Sequence, residues 1–282
     1  MKIALVVLTR LGNKYLREYV EYYKNLGVDK IYFYDNNREG EEDVTDVLLD
    51  YMFEDIVEVV PFSDVTGRIQ EKAYQDFYDK HGKEYDWICV FDDDEYVNIN
   101  SGIGLKEFLS KPIFNCRFGV CFPMINFCDS NVIVNDKSTR LDVYKSVKDL
   151  NNVWNGSTYK TIIRGGLNVN YIKGEYDYNG SKMVYDCQCH IPCVDGKVIY
   201  NIVDCDGNLL DIEGKTFATM FSTNSAFLKH IPTGCIDDYI NIKAKRRWPD
   251  TEVNHEFGYE YFLLFNNDSE EKRKYYFDHI QK

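Results

Sequence analysis

Long apolar runs are absent from this sequence. No segment reaches the roughly 18 consecutive apolar residues that a membrane-spanning helix needs. The apolar run from Ile3 to Leu8 is shorter, and no signal-peptide cleavage pattern follows it. We therefore expect a cytoplasmic protein whose membrane contact, where it has any, is peripheral.

Positive charge is also scarce. The chain has 33 Lys and Arg residues against 46 Asp and Glu residues, which gives a formal net charge of -13. Nucleic acids and anionic membranes are bound mainly through a basic face, so nucleic acid is not expected as a partner. One local basic stripe, Lys243-Ala244-Lys245-Arg246-Arg247, is the exception.

A disulfide framework is not indicated either. Nine cysteines are scattered along the chain, and this odd count favours reduced thiols. The stretch Cys187-Gln188-Cys189-His190-Ile191-Pro192-Cys193 does offer four soft metal ligands. Structural zinc sites usually take their ligands from two separated segments, so ordinary buried cysteines are the favoured interpretation here.

No repeat, low-complexity segment or linker divides the chain, which predicts a single domain over residues 1–282. In the first hundred residues, strands recur about every 30 residues with amphipathic helices between them. The predicted strands are Ile3 to Leu8, Ile31 to Tyr34, Ile56 to Val60 and Trp87 to Phe91. The helix faces are marked by Leu16, Val20, Tyr23 and Leu26, by Val44, Val47, Leu48 and Tyr51, and by Ile69, Ala73 and Phe77. This alternation predicts βαβ units and a parallel sheet.

The later half of the chain is more β-rich and less regular. Phe118 to Phe122 and Tyr159 to Ile163 are predicted strands. Turn signals at Asp195-Gly196 and Asp206-Gly207 flank Val198 to Val203, which predicts a small hairpin or meander. Two closing helices are predicted at Ile236 to Lys245 and Ser269 to His279. The fold class is therefore α/β, with a mixed, mostly parallel sheet flanked by helices and a β-rich C-terminal half.

Polar clusters follow two of the predicted parallel strands. Asp35-Asn36-Asn37 comes after the second strand, and the acidic run Asp92 to Glu95 comes after the fourth. In parallel sheets ligands bind beyond the carboxyl ends of the strands. The D-x-D pair of Asp92 and Asp94 offers oxygen ligands suited to Mg²⁺ or Mn²⁺, which can stabilise a departing diphosphate. The alternative interpretation is a solvated acidic turn.

The residues Phe91-Asp92-Asp93-Asp94-Glu95-Tyr96 resemble the D-x-D-E-[FY] motif of GT-A-fold glycosyltransferases related to families 2 and 92. Further segments resemble that group in the same order. Leu16 to Tyr34, followed by Asp35-Asn36-Asn37, resembles its opening segment, and Tyr159 to Arg164 resembles its K-x-I-x-R strand. Phe227 to His230, followed by Ile236 to Tyr239 and Lys243, resembles its closing segment. Thr233-Gly234-Cys235 stands where the group has T-K-[ST], so one basic residue expected near the donor phosphates is absent. Residues 165–214 do not align.

The resemblance implies a Rossmann-like GT-A domain with a nucleotide-binding half, 1–100, and an acceptor-binding half with closing helices, 101–282. It implies a Mn²⁺- or Mg²⁺-dependent transfer of a sugar from a nucleoside diphosphate donor, most simply a UDP-sugar. The acceptor would be a glycan or a lipid-linked glycan, in the synthesis of a surface polysaccharide.

The resemblance also assigns the metal ligands. Asp94 would be the main ligand, and Asp92 would bind the metal, a metal-bound water or the donor ribose. The third ligand should be a histidine from the C-terminal half, for which His230 is the prediction and His190 the alternative.

The predicted donor-binding residues lie at strand ends and in the basic stripe: Thr9, Arg10, Asp35, Arg68, Asp92, Asp93 and Lys243. Each has a structural alternative. Asp35 could form an Asx-turn, Arg68 could lie on the surface, and Lys243 could belong to a solvated helix end. Strand alternation would turn Asp93 away from the site. Glu95 either holds the loop through backbone N–H groups or faces the acceptor.

A general base is needed only if the reaction inverts configuration. Asp129 and Asp238 are the predicted candidates, although helix N-capping explains Asp238 equally well. Two other functions remain open: a non-catalytic nucleotide- or glycan-binding domain, and a nucleotidyltransferase. The second is disfavoured because Leu8 to Lys14 contains one glycine and not a glycine-rich phosphate loop.

Overall fold

The computed structural model describes residues 1–148, 158–171, 174–178, 181–185, 192–198, 201–210, 222–246 and 258–280. For 174–178, 181–185 and 197–198 only the backbone is described. The alternative ligand His190 lies outside these ranges, as does most of the cysteine-rich stretch. Its one described cysteine, Cys193, is buried.

The structure alternates strands and helices in its first half and is richer in short strands afterwards. The strands are β1 Ile3–Thr9, β2 Lys30–Asp35, β3 Val57–Pro61, β4 Trp87–Val90, β5 Glu95–Ile99, β6 Gly119–Asn126, β7 Tyr159–Arg164, β8 Val169–Asn170, β9 Gly174–Tyr178, β10 Ser181–Tyr185, β11 Cys193–Val194, β12 Lys197–Val198, β13 Ile202–Asp204 and β14 Ala226–His230. The helices are α1 Asn13–Leu26, α2 Thr45–Phe53, α3 Ile69–His81, α4 Leu105–Leu109, α5 Ile236–Asp238, α6 Ala244–Arg246, α7 Tyr259–Phe265 and α8 Glu270–His279. A 3₁₀ turn covers Pro112–Phe114, and a π-helical turn, Tyr239–Lys243, joins α5 to α6.

One large sheet organises the domain, in the order β3-β2-β1-β4-β7-β6-β14-β5, with β13 also paired to β6. β1 is parallel to β2 and β4, and β2 is parallel to β3, as predicted from the βαβ pattern. β7 lies between β4 and β6 and is antiparallel to both, so β4 and β6 run in the same direction. β14 is parallel to β6, and β5 is antiparallel to β14. The mixed, mostly parallel sheet of the sequence prediction is confirmed.

Hydrophobic cores cover both faces of the sheet, because its central strands carry apolar side chains on both faces. In β1, Ile3, Leu5 and Val7 pack into the core that contains the buried face of α1. Ala4 and Val6 point the other way, into the core that contains the buried face of α3. A continuous apolar run is the expected sequence of a strand buried in this way.

Both turns predicted in the later half are present. Asp195-Gly196 turns β11 into β12, and Asp206-Gly207 turns the chain back after β13, so that Val203 pairs with Leu209 in an antiparallel bridge. Ile202 and Val203 of β13 also lie buried alongside β6 in the main sheet. Strand β5 was not predicted, since its start overlaps the acidic run.

The closing helices agree with the prediction. The helical region 236–246 comprises α5, the π turn and α6, and α8 begins after Ser269, whose hydroxyl accepts the Lys272 N–H as an N-cap. Among the described residues, no helix combines the length and the apolar character needed to cross a membrane.

Candidate active site

Strand direction brings distant polar residues to one edge of the sheet. The acidic run follows the carboxyl end of β4, while β6 and β14 end at Asn126 and His230 and point the same way. The β6–β14 register pairs His230 with Asn126, and the β14–β5 register pairs His230 with Glu95. The histidine therefore arrives beside the acidic run through strand pairing.

Asp94, Glu95 and His230 form a candidate metal centre. One possible ligand atom from each lies within 4.8 Å of the others. His230 Nε2 is 3.5 Å from Asp94 Oδ1, and His230 Nδ1 is 2.7 Å from Asn126 Oδ1. With Nδ1–H donating to Asn126, the Nε2 lone pair is available to a cation.

The buried Asp94 carboxylate supports the fit of a divalent cation. Its Oδ1 is buried and accepts no hydrogen bond from the part of the chain that the structure describes. A buried carboxylate oxygen without a partner is costly, and a cation beside it would remove that cost. Two carboxylates and one imidazole are acceptable ligands for Mn²⁺. The residues present therefore fit the expected metal.

Asp92 does not belong to this group of three. Its Oδ2 is 3.1 Å from the buried Lys160 Nζ, and its Oδ1 accepts a hydrogen bond from Gln70 of α3. Burial opposes ionisation of Asp92, but the charge and hydrogen bond of Lys160 outweigh it and lower the pKa of Asp92 to about 2. The sequence predicted Asp92 as a metal ligand, whereas the structure places Glu95 nearer the other two ligands. About a third of the Asp92 side chain (34%) is exposed, so it can still meet a donor.

Glu95 holds the turn that carries the acidic run. Its Oε2 accepts the backbone N–H of Asp92 at 2.9 Å, which is the first of the two roles considered for it. Burial raises the pKa of Glu95 well above its usual value, with the anions Asp92 and Asp94 adding to the effect and Lys160 opposing it. A cation bound between Asp94 and His230 would favour its ionised form.

Asp93 is buried and surrounded by hydrogen-bond donors. Arg246 donates two hydrogen bonds to it, from Nη1 to Oδ1 at 2.8 Å and from Nη2 to Oδ2 at 2.7 Å. The Thr9 hydroxyl donates to Oδ2 at 2.6 Å, and Arg140 donates to the Asp93 carbonyl at 2.8 Å. Burial is the largest single influence on the pKa of Asp93, but the charge and hydrogen bonds of Arg246, together with Arg140 and Thr9, outweigh it and lower the pKa of this carboxyl group.

The close approach of Asp93 to the loop after β1 requires a glycine at position 12. A Cβ there would lie 2.6 Å from Asp93 Oδ2 and 2.7 Å from Thr9 Oγ1. We expect Gly12→Ala to lower the free energy of unfolding by about 1–3 kcal/mol, because the crowded carboxylate must shift. Urea unfolding measures this, with Gly104→Ala as the milder control. A Cβ at Gly104 would lie 3.3 Å from its nearest neighbour, the Leu26 carbonyl oxygen. Equal stability of the two variants would contradict the crowding.

Lys243, at the end of the π turn, lies beside the candidate metal centre. Its Nζ is 3.8 Å from Asp94 Oδ2. Burial opposes its charge, but the attraction of Asp94, together with smaller effects of Tyr261 and Asp92, outweighs this and raises the pKa of Lys243, so it stays protonated at neutral pH. Arg10 lies nearby, paired with Glu41 and donating to the Arg246 carbonyl at 3.0 Å.

Two predicted donor contacts lie in well-defined turns. Asp35 Oδ1 accepts the backbone N–H of Asn37 at 2.9 Å, which is the Asx-turn considered as its alternative. Asn37 in turn accepts the Leu11 N–H at 2.8 Å, so the ends of β1 and β2 are joined. Arg68 is half-buried just before α3, with a φ of 51°. Their roles towards a nucleotide stay predictions.

The two predicted general bases are buried and paired. Asp129 lies 2.5 Å from Lys272 Nζ, and its Oδ1 accepts the Asn131 N–H at 3.0 Å. Asp238 Oδ2 accepts hydrogen bonds from Tyr15 at 2.5 Å and from Tyr144 at 2.6 Å. It does not cap α5, where the Cys235 side chain accepts the Asp238 N–H. These contacts favour structural roles for both carboxylates.

The lowered pKa of His230 predicts that the stability of the protein depends on pH. Burial lowers the pKa of its imidazole from 6.5 to about 4, although Asp94 opposes the shift. Below pH 6.5 the unfolded chain then binds a proton that the folded protein does not, so stability falls as the pH falls towards 4. With the ring 18% exposed, we expect His230 to contribute about 1–2 kcal/mol to the loss between pH 7 and pH 5. Urea unfolding of metal-free wild type and His230→Asn measures this contribution, and identical pH slopes would contradict it.

Sequence reasoning missed three groups that shape the site. Lys160 is buried against Asp92 and Glu95, Arg140 is buried against Asp93, and Gln70 contacts Asp92. A lysine in the predicted strand Tyr159 to Ile163, whose other residues are apolar or small, was a usable signal, because lysine is rarely buried without a partner. Arg140 lies in an irregular segment whose sequence carries no such signal.

One family model and several solved structures match this chain. The family model of glycosyltransferase family 92 matches residues 12–174, which is more than half of the 282-residue chain. No curated protein matches the chain. Two matching solved structures are of S. aureus TarS 1-349, one in complex with UDP-GlcNAc and one in complex with UDP. The first has 16% identity and a TM-score of 0.33 over 58% of this chain and 45% of that one; the second has 16% identity and a TM-score of 0.31 over 58% and 47%.

The chain thus spans less than half the length of the TarS fragment. The family match includes the acidic run and Lys160, whereas His230 lies beyond it. The mixed, mostly parallel α/β sheet is the one expected from the motif. The chain belongs to glycosyltransferase family 92.

Proposed function

We propose that this protein transfers a sugar from a nucleoside diphosphate donor, a UDP-sugar, to a glycan or lipid-linked acceptor with the help of Mn²⁺ or Mg²⁺. The observation that carries the proposal is the group of Asp94, Glu95 and His230, with Asp94 buried and Lys243 beside it. A structural acidic turn would have its carboxylates in water or fully hydrogen-bonded. This one has a buried oxygen directed at an imidazole.

Asp94, Glu95 and His230 would hold the metal, which supplies positive charge that stabilises the diphosphate as it leaves. Asn126 keeps the His230 ring in one orientation through its hydrogen bond. Lys243 adds a fixed positive charge close to the same place, where burial strengthens its effect on a developing negative charge. Lys160 balances Asp92 and keeps this carboxylate ionised for the donor.

The remaining donor contacts are proposed at the carboxyl ends of the parallel strands, in the half 1–100. Asp35 would hydrogen-bond the nucleoside from the end of β2, and Thr9 and Arg10 would flank it from the end of β1. Arg68 would approach from the start of α3. The half 101–282 would bind the acceptor.

An inverting reaction would require a carboxylate to accept the acceptor proton, and Asp129 and Asp238 remain the proposed groups. Each would have to exchange a present partner, Lys272 or the two tyrosines, before it could do so. A retaining reaction needs no such exchange, and the buried pairing of both carboxylates favours it.

We further propose that the protein works at the cytoplasmic face of a membrane in surface polysaccharide synthesis. The absence of a membrane-crossing helix in the described residues is compatible with peripheral contact. Lipid-linked acceptors present their glycan at such a surface.

Calorimetric titration tests the proposal directly. Wild-type protein is titrated with UDP, GDP and CMP, each with and without Mn²⁺. We expect Mn²⁺-dependent binding of UDP and weaker binding of the other two nucleotides. If no nucleotide binds under any of these conditions, the nucleotide-sugar proposal is wrong.

A further inference from the structure

The helical region 236–246 is attached to the rest of the site at both ends. Near its start, Asp238 accepts hydrogen bonds from Tyr15 at 2.5 Å and Tyr144 at 2.6 Å, and Lys14 Nζ lies 2.7 Å away. At its end, Arg246 makes its two hydrogen bonds to Asp93. Both attachments are ionic and mostly buried, which distinguishes them from surface ion pairs of small energy.

Between the two attachments lies the π turn Tyr239–Lys243. A π turn inserts an extra residue into a helix and changes which side chains face a given side; such turns are frequent at functional sites. Here Lys243, at its end, lies 3.8 Å from Asp94. Asp94, Asp238, Lys243 and Arg246 all line one small cavity. Both attachments and the lysine therefore face the same space.

The Asp93 carboxylate can accept few further hydrogen bonds. Its Oδ1 accepts from Arg246, and its Oδ2 accepts from Arg246 and from Thr9. The side chain is 1% exposed, and Gly12 packs against it so closely that a Cβ would not fit. A carboxylate so enclosed can act on a ligand only through its partner.

We propose that Asp93 and Arg246 are positioning residues: their buried ion pair docks the region 236–246 onto the acidic run and so holds Lys243 beside Asp94, where it meets the donor diphosphate. Asp93 then acts through Arg246 and not by contacting the donor. The role of Lys243 towards a diphosphate rests on the proposed function, whereas the docking itself does not.

Hydrogen exchange of the ligand-free protein tests the docking. We expect Asp93→Asn and Arg246→Gln each to accelerate amide exchange in peptides covering residues 239–246 by about 10-fold or more, since each removes the charge pairing of a buried, doubly hydrogen-bonded contact. The double variant should exchange no faster than the single variants, because each removes the same pair. Arg246→Lys keeps the charge, is the milder variant if the others unfold, and should give an intermediate rate.

Lys245→Gln is the matched control for hydrogen exchange. It removes a positive charge from the same turn, but Lys245 is exposed and its Nζ contacts Asn241. We expect its exchange in residues 239–246 to equal that of wild type. Unchanged exchange in Asp93→Asn and Arg246→Gln, or effects of the two that simply add, would overturn the docking.

Nucleotide binding tests the positioning of Lys243. In the presence of Mn²⁺, we expect Arg246→Gln and Asp93→Asn each to weaken UDP binding about 10-fold. Arg246→Gln should leave uridine binding unchanged, since only the diphosphate reaches Lys243. If Arg246 itself bound the diphosphate, Asp93→Asn would release it and strengthen UDP binding, which would overturn the proposal.

The two proposals fail in different ways. If wild type binds no UDP, the proposed function is wrong, and the exchange experiment still decides the docking. If wild type binds UDP but Arg246→Gln leaves the ratio of UDP to uridine affinity unaltered, the positioning proposal is wrong and the proposed function stands.

Discussion

Replacing Asp94 by asparagine is expected to abolish Mn²⁺-dependent UDP binding and to slow sugar transfer by at least about 100-fold. Metal stabilisation of a transition-state charge is worth several kcal/mol, and each 1.4 kcal/mol corresponds to about tenfold in rate. Asparagine preserves the size of the side chain and removes its charge, so the effect would report the metal centre and not a cavity. Calorimetry and a transfer assay with a UDP-sugar measure it.

Two comparisons make this prediction specific. Asp136→Asn removes an exposed carboxylate elsewhere and should change neither binding nor transfer. Glu95→Gln should weaken Mn²⁺ binding more than Asp92→Asn, because Glu95 is the carboxylate grouped with Asp94 and His230. The reverse order would restore the D-x-D assignment made from the sequence. Unchanged Mn²⁺-dependent binding in Asp94→Asn would remove the metal centre altogether.

Replacing Lys272 by methionine is expected to lower the free energy of unfolding by about 3–5 kcal/mol, because it leaves a buried carboxylate without its counter-ion. Lys272 Nζ is 2.5 Å from Asp129 Oδ2, and both side chains are at most 3% exposed. Methionine retains most of the apolar stem of lysine. Chemical denaturation at pH 7 measures the loss.

The same helix offers a matched control. Lys274 also pairs with a carboxylate, at 3.6 Å from Asp278, but its side chain is 80% exposed. Lys274→Met should change the free energy of unfolding by at most about 1 kcal/mol, as surface ion pairs usually do. Equal losses in the two variants would show that burial of the Asp129 pair has no energetic consequence.

The double variant Asp129→Asn with Lys272→Met separates structure from catalysis. Replacing both partners removes the uncompensated charge, so it should recover part of the stability lost in Lys272→Met. If Asp129 serves only the fold, the folded double variant should retain sugar transfer. A folded, stable double variant without transfer would support Asp129 as the general base.

Local patterns were sufficient for the first half of the fold. In β1 the continuous apolar run is buried on both faces, and in α1 the spacing of Leu16, Val20 and Tyr23 places all three in the core. Gly27 ends α1 with a φ of 102°, a conformation that glycine adopts without strain, as the stop signal predicted. These features depend on a few neighbouring residues, so they can be recognised along the chain.

The candidate metal centre could not be recognised from local patterns alone. The sequence predicted Asp94 through its motif, and His230 in preference to His190 by resemblance. It grouped Asp92 with them, whereas the structure places Glu95 beside them. Which carboxylate meets His230 depends on the register of β14 between β6 and β5. That register joins segments about a hundred residues apart, and no local pattern encodes it.

By itself, the sequence determined the α/β alternation, the acidic run at a strand end and the family to which the run belongs, because short-range periodicity and motif spacing carry that information. Only the tertiary structure decided the partners of the four carboxylates: Asp92 lies against Lys160, Asp93 against Arg246, and Asp94 and Glu95 beside His230. The physical reason is that a buried charge needs a counter-charge or a cation, and its partner comes from whichever distant strand or helix the packing brings within reach.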